Sequence, residues 1–204
     1  MSLTRPADQF TRLLKSLNCD GRWGLALLAA CMLLILPELG GDRAREWMRY
    51  ERSAVAAGEW WRLLTAHFIH LGLEHAVLNG LGLVLMWALF ARDYTARAWL
   101  AILGASIAAI DLGLWISDST VGWYVGSSGA LHGVLAAGTL AHLRRRDLDG
   151  WILAVFLVVK LTYEQLSGAL PFTDQAAVVV DAHLYGAVGG LLAALALKPR
   201  PGPL

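Results

Sequence analysis

The sequence predicts an all-α polytopic membrane protein, a bundle of six transmembrane helices with both termini cytoplasmic. Three observations carry that expectation. Of 204 residues, 57% are hydrophobic and 16% charged, and mean hydropathy is +0.53, which excludes an ordinary soluble domain. Six apolar segments follow one another at 24–37, 75–91, 97–117, 128–143, 150–168 and 179–197, and an even number places both ends on one side. Positive charge then sets the orientation. Arg5, Arg12, Lys15 and Arg22 precede the first segment, Arg92 and Arg97 flank the second turn, Arg144, Arg145 and Arg146 the fourth, and Lys198 and Arg200 end the chain. These loops are assigned to the cytoplasm, because the outer loops 118–127 and 169–178 hold no Lys or Arg.

In chain order, residues 1–23 read as a polar cytoplasmic N-terminal segment without a signal-peptide cleavage pattern. The membrane domain runs from 24 to 197. Cys19 precedes the first apolar run and Cys31 lies within it, so the two sit at different depths and both are read as unpaired. The loop at about 38–74 is long, Trp-rich and half apolar, which suits a structure lying in the interface. Five arginines in it (Arg43, Arg45, Arg49, Arg52 and Arg62) alternate with acids. Eight tryptophans fall near segment ends, as interfacial anchors do, and Trp87 alone is mid-segment. Residues 198–204 form a short, Pro-rich cytoplasmic tail. Nothing in the composition supports nucleic-acid binding, and no cofactor motif is present.

The polar residues inside the apolar segments share one depth. At the helical rise, Ser128 stands roughly 24 Å from Arg144, His183 roughly 22 Å from Lys198, and Asn79 and His75 roughly 20 and 26 Å from Arg92. Polar groups at such depth are costly and face a bundle interior or a wet cavity. A serine hydroxyl becomes a nucleophile when a base takes its proton, and His183 fits that role. Donors for a developing oxyanion are available in the Ser128 backbone N–H, the Asn79 amide and the His75 imidazole. Gly126 and Gly129 beside the serine would let the backbone turn and a substrate approach.

These residues resemble the rhomboid intramembrane serine proteases through three motifs in order: Trp61-Arg62 with His70, His75 and Asn79; Gly126-Ser127-Ser128-Gly129; and Ala182-His183-Leu184-Tyr185-Gly186 with Gly190. The resemblance covers about 24–197. It implies a Ser128–His183 dyad without a catalytic aspartate, His75 and Asn79 as oxyanion-hole side chains, and His70 with Trp61-Arg62 as parts of a structured first loop. At 132 many relatives carry an aromatic ring stacked on the catalytic histidine; here it is His132. The short chain, Leu131-His132-Gly133 and Tyr163-Glu164-Gln165 resemble the rhombosortase subgroup. That implies transmembrane protein substrates with a C-terminal Gly-Gly element, an apolar helix and a basic end, cut at the outer side of a bacterial inner membrane.

Other readings of the same residues stand beside this one. His132, one turn from Ser128, is a rival base, and Asp181 a rival triad member. Lys160 and Glu164 form an i,i+4 pair expected to neutralise itself. His67, His70, Glu74 and His75 lack the spacing of a metal site, so no metal is expected. Asp111 has no assigned partner. The alternative function is a non-catalytic rhomboid-like protein that binds membrane clients.

Overall fold

The computed structural model describes residues 23–169 and 178–201. The N-terminal segment before Trp23, Cys19 with it, most of the 169–178 loop and the end of the tail lie outside the described residues. Cys31 is a free thiol.

Helix α1 (Gly24–Ile35) passes through a 3-10 turn (Leu36–Gly40) into α2 (Gly41–Met48). Strand β1 (Tyr50–Glu51), α3 (Arg52–Ala56) and α4 (Arg62–Thr65) complete the first loop. Then come α5 (Leu73–Phe90), α6 (Ala96–Ile116), β2 (Trp123–Tyr124), α7 (Ser128–Arg145), α8 (Leu148–Ser167) and α9 (Asp181–Ala196). The six apolar segments thus appear as helices whose ends fall within two residues of the sequence reading. The chain is mostly helical, as expected, with one short addition. β1 and β2 pair antiparallel with Tyr50 opposite Tyr124, so the first loop is hydrogen-bonded to the segment that leads into Ser128.

Four of the helical runs are long and apolar enough to cross a membrane: Gly24–Met48, α5, α6 and α8. The two others have a physical reason to differ. α7 is packed on α5, α6, α8 and α9, so its faces need no lipid-compatible coat. It carries Thr139 and His142 in its buried surface. α9 is 16 residues long, and its main neighbours are α7 and α6.

The α7–α9 contact is a seam of small residues. A Cβ added at Gly186 would collide with the Gly129 carbonyl, one at Gly190 with the Gly133 carbonyl, and one at Gly129 would lie 2.7 Å from the Ala182 carbonyl oxygen. Backbone therefore touches backbone, as small residues at four-residue spacing permit in membrane helices. On an adjacent face of α9, a Cβ added at Gly189 would lie 2.5 Å from the Ala105 carbonyl oxygen of α6.

The two ends of the bundle are closed differently. At the arginine end, Arg144 donates to the carbonyls of Ala194, Leu195 and Leu197, capping α9. Asp93 there accepts from Arg145 at 3.0 Å and meets His142 at 2.9 Å. At the other end the first loop folds over α6 and β2. Its core gathers Tyr50, Val55, Ala66, Ile110, Leu114, Tyr124 and Ala182. Arg52 donates to the carbonyls of Leu114, Asp118 and Val121, fastening the loop to the end of α6.

Candidate active site

Three helices begin at the first-loop end, and each starts with a polar side chain of the layer read from the sequence. Ser128 opens α7, His183 lies in the first turn of α9, and His75 and Asn79 lie in the first two turns of α5. Ser128 Oγ is 2.8 Å from His183 Nε2. That hydrogen bond spans two helices and exists because the glycine seam holds them at backbone contact. Ser128, His75, Asn79, His132, Lys160, Glu164 and His183 line one cavity of about 480 Å³, whose walls are completed by Leu71, Leu78, Leu131 and Val178 among others.

His132 stacks on His183 with ring centroids 4.2 Å apart and planes 16° from parallel. Its Nδ1 lies 2.7 Å from the Ser128 carbonyl, to which it donates. The rival base is therefore tied to the backbone of its own helix, and the serine hydroxyl is engaged by His183 instead. Asp181 opens α9, but the carboxylate on His183 is another one. Glu164 Oε2 sits 3.0 Å from His183 Nδ1, while Glu164 Oε1 accepts from Lys160 Nζ at 2.6 Å. The expected Lys160–Glu164 pair is present, yet it is not self-contained. The sequence carried a signal for this: Glu164 lies 16 residues beyond Leu148, roughly 24 Å along α8 and level with Ser128.

The remaining residues sort by position. Asn79 Nδ2 donates to the His75 carbonyl at 2.9 Å, which leaves its second amide hydrogen for the cavity. His75 Nδ1 accepts from Leu71 N at 3.4 Å, so its other ring edge is free. Gly126 has φ +119, and a Cβ there would lie 3.3 Å from His75 Cε1. Its carbonyl accepts from the Tyr124 hydroxyl at 2.6 Å and its N–H donates to Ala66 O at 2.9 Å. Gly126 thus shapes the loop into the serine, and Gly129, facing Ala182, is required by the seam.

His70, Trp61 and Arg62 lie outside the cavity wall and build the first loop. His70 is fully buried, its backbone N–H donates to Glu38 at 2.6 Å, and its Nε2 lies 3.2 Å from Ser127 Oγ and 3.4 Å from Ser127 N. Burial, and then the neighbouring His75, hold the His70 imidazole far below its ordinary range, at about 3. Arg62 pairs with Glu59 at 2.6 Å and donates to the carbonyls of Glu46 and Arg49. Trp61 stacks on Trp47. Asp111, unassigned by sequence, meets buried His67 at 3.3 Å.

His132, Glu164 and His183 each offer a ligand atom within 4.8 Å of the others. A divalent ion there would take one nitrogen of His183 and displace its bond to Ser128 or its bond to Glu164, so the donor set suits proton transfer better than metal holding. His142, Asp147 and Asp149 form a second such group at the arginine end.

Comparison with known proteins adds the family. The model of the rhomboid domain matches residues 57–200. The chain is 27% identical over 138 residues to YdcA of Bacillus subtilis (strain 168), which bears a provisional rhomboid-protease name, covering 68% of this chain and 67% of that protein. It is 30% identical over 185 residues to rhomboid protease GluP of the same organism, 86% of this chain and 34% of that one. With RHOMBOID-like protein 9, chloroplastic, of Arabidopsis thaliana it shares 34% identity over 92 residues, 44% of this chain and 20% of that one. The chain thus corresponds to about two thirds of the first relative, about a third of the second and a fifth of the third.

Proposed function

Because this chain belongs to the rhomboid family of membrane proteins, we propose that it is an intramembrane serine endopeptidase in which Ser128 is the nucleophile and His183 the general base. The observation that carries this is the 2.8 Å hydrogen bond between Ser128 Oγ and His183 Nε2 inside a cavity at one end of the bundle, where His75, Asn79, Lys160 and Glu164 share the wall with leucines. His183 takes the hydroxyl proton as Oγ attacks the scissile carbonyl, and the same proton passes to the leaving amine as the C–N bond breaks. Charge on the tetrahedral oxygen meets the Ser128 backbone N–H at the start of α7, the free edge of His75 and the second Asn79 hydrogen. A water then returns the acyl group to the carboxylic acid by the reverse proton path.

In the arrangement proposed, all six long helices cross the membrane as one domain over 24–197, residues 1–23 and 198–204 are cytoplasmic, and the cavity opens to the outer side of a bacterial inner membrane. The arginine end, with Arg144, Arg145, Arg92 and Lys198, then faces the cytoplasm. Substrates are transmembrane proteins with a Gly-Gly element, an apolar helix and a basic end. A Gly-Gly pair offers a carbonyl without side chains, which suits a serine set below the cavity mouth among leucines.

The test is cleavage of a reporter ending in such a tail by purified wild type, Ser128→Ala and His183→Ala. Cutting by wild type alone supports the dyad and the substrate class together. Serine-dependent labelling by a fluorophosphonate without cutting keeps the peptidase and removes the Gly-Gly substrate. Absence of both signals would leave the client-binding protein as the better description.

A further inference from the structure

Glu164 is buried, with its side chain 3% exposed, and both of its oxygens are engaged. One holds Lys160 of its own helix and the other holds His183 Nδ1 across the cavity. Packing does not require this bridge, since α8 lies mainly against α7 and touches α9 little. A charged pair in that position is costly unless it is used. The bond also fixes a chemical state. An ionised carboxylate is an acceptor only, so the hydrogen on the imidazole must sit on Nδ1. Nε2 is then left with its lone pair toward Ser128, which is the tautomer a base needs.

We propose that Glu164 is the third member of a Ser128–His183–Glu164 relay, a positioning residue that sets the His183 tautomer and steadies the imidazolium formed on attack, with Lys160 holding the carboxylate in place. This rests on the peptidase reading above and extends its dyad. As the Oγ–C bond forms, the carbonyl π pair moves to oxygen and the Oγ proton moves to Nε2. The Nδ1 proton stays on Nδ1, and Glu164 stays ionised beside the new positive charge. When the C–N bond breaks, the electron pair stays with nitrogen and the Nε2 proton follows it, returning His183 to the neutral Nδ1–H form. Lys160 balances Glu164 in the resting state, so the site gains a transient charge only when the reaction supplies it.

Glu164→Gln tests the relay. The amide keeps size and loses the charge, and its NH2 can face Nδ1, which would turn the imidazole to the unproductive tautomer. Removing the orienting carboxylate of a serine–histidine pair has cost about 10⁴-fold in kcat in a serine protease of another fold. For Glu164→Gln the expectation is a fall of at least about 100-fold in both kcat and the rate of fluorophosphonate labelling of the folded protein, with KM within about two-fold, alongside a lower melting midpoint because Lys160 loses its counter-ion. A merely structural role would move the midpoint and leave the labelling rate of the folded fraction intact, and that result overturns the proposal. Where Glu164→Gln fails to insert, Glu164→Asp decides, because it keeps the charge and withdraws the oxygen by about one bond length. A kcat at least about ten-fold below wild type with unchanged KM supports the relay, and a wild-type kcat overturns it. If wild type itself neither cuts nor labels, the peptidase reading has failed and the relay falls with it.

Discussion

A single methyl group at Gly186 should separate the serine from its histidine. The added carbon would lie 2.6 Å from the Gly129 carbonyl carbon and closer still to its oxygen, and both are backbone atoms that cannot swing aside. Non-bonded carbons settle at about 3.5–4.0 Å, so α9 must retreat by roughly 1 Å. The Ser128–His183 hydrogen bond, 2.8 Å at rest, would then stretch past the range in which such a bond holds. A misplacement of 1 Å costs on the order of 10²-fold in rate, and overpacking of this kind typically costs about 1–3 kcal/mol in stability. The assay is the initial rate of reporter cleavage and of fluorophosphonate labelling for wild type, Gly186→Ala and Gly104→Ala in one detergent, with melting midpoints alongside. Gly104 on α6 has no atom within 4 Å of its would-be Cβ, so Gly104→Ala should keep full activity and gain up to about 1 kcal/mol from helix propensity. Wild-type cleavage by Gly186→Ala would refute the claim that the glycine seam sets the catalytic distance.

Three further outcomes follow from other contacts. His132→Phe, which preserves a ring over His183, should keep the cleavage rate within about three-fold, whereas loss of a true base would cost at least about 10²-fold; an inactive but folded His132→Phe would make His132 chemically engaged. Arg62 meets Glu59 through Nε and the Glu46 and Arg49 carbonyls through Nη1, and the single nitrogen of Arg62→Lys cannot occupy both positions, so the melting or denaturation midpoint should fall by the equivalent of about 1–3 kcal/mol, and an unchanged midpoint would deny that Arg62 organises the first loop. His70, held at about 3 against an ordinary 6.5, is neutral in the fold while the unfolded chain takes up a proton first. Its contribution to stability is full above about pH 6.5 and is lost as pH falls toward 3. His70→Gln should flatten that part of the stability profile, and an identical slope would exclude His70 as its source.

The helices were legible because apolar length and charged turns are properties of single segments, and lipid or a packed bundle reads both in the same way. The layer of Ser128, His75, Asn79 and His183 was legible because depth along a helix is linear in residue number. Partners on different helices were not, since rotation about the helix axis decides which groups meet. Glu164 lay at the right depth, but its i,i+4 lysine gave a local account that hid the bond across the cavity to His183. Asp111 and His67 went unpaired for the same reason, their contact joining α6 to an irregular loop. The β1–β2 pairing escaped because two residues on each side carry no alternation that could be recognised.

The Ser128–His183 hydrogen bond is constrained three times over, and the constraints are of different kinds. The seam at Gly129, Gly133, Gly186 and Gly190 sets the distance from α7 to α9. The stacked His132 ring sets the plane of the His183 imidazole. In the relay proposed here, Glu164 sets which nitrogen carries the proton. Distance comes first, because tautomer and plane act only on a hydrogen bond that has formed. Residues acting through one shared contact are non-additive when removed together. The double variant Gly186→Ala with Glu164→Gln should therefore be little slower than the worse single variant, by no more than about three-fold in kcat/KM, where independent effects would multiply to at least about 10⁴-fold. Full multiplication, measured as labelling rates on folded protein, would mean that the seam and the carboxylate act on different steps, and that the Ser128–His183 bond is not where their influence meets.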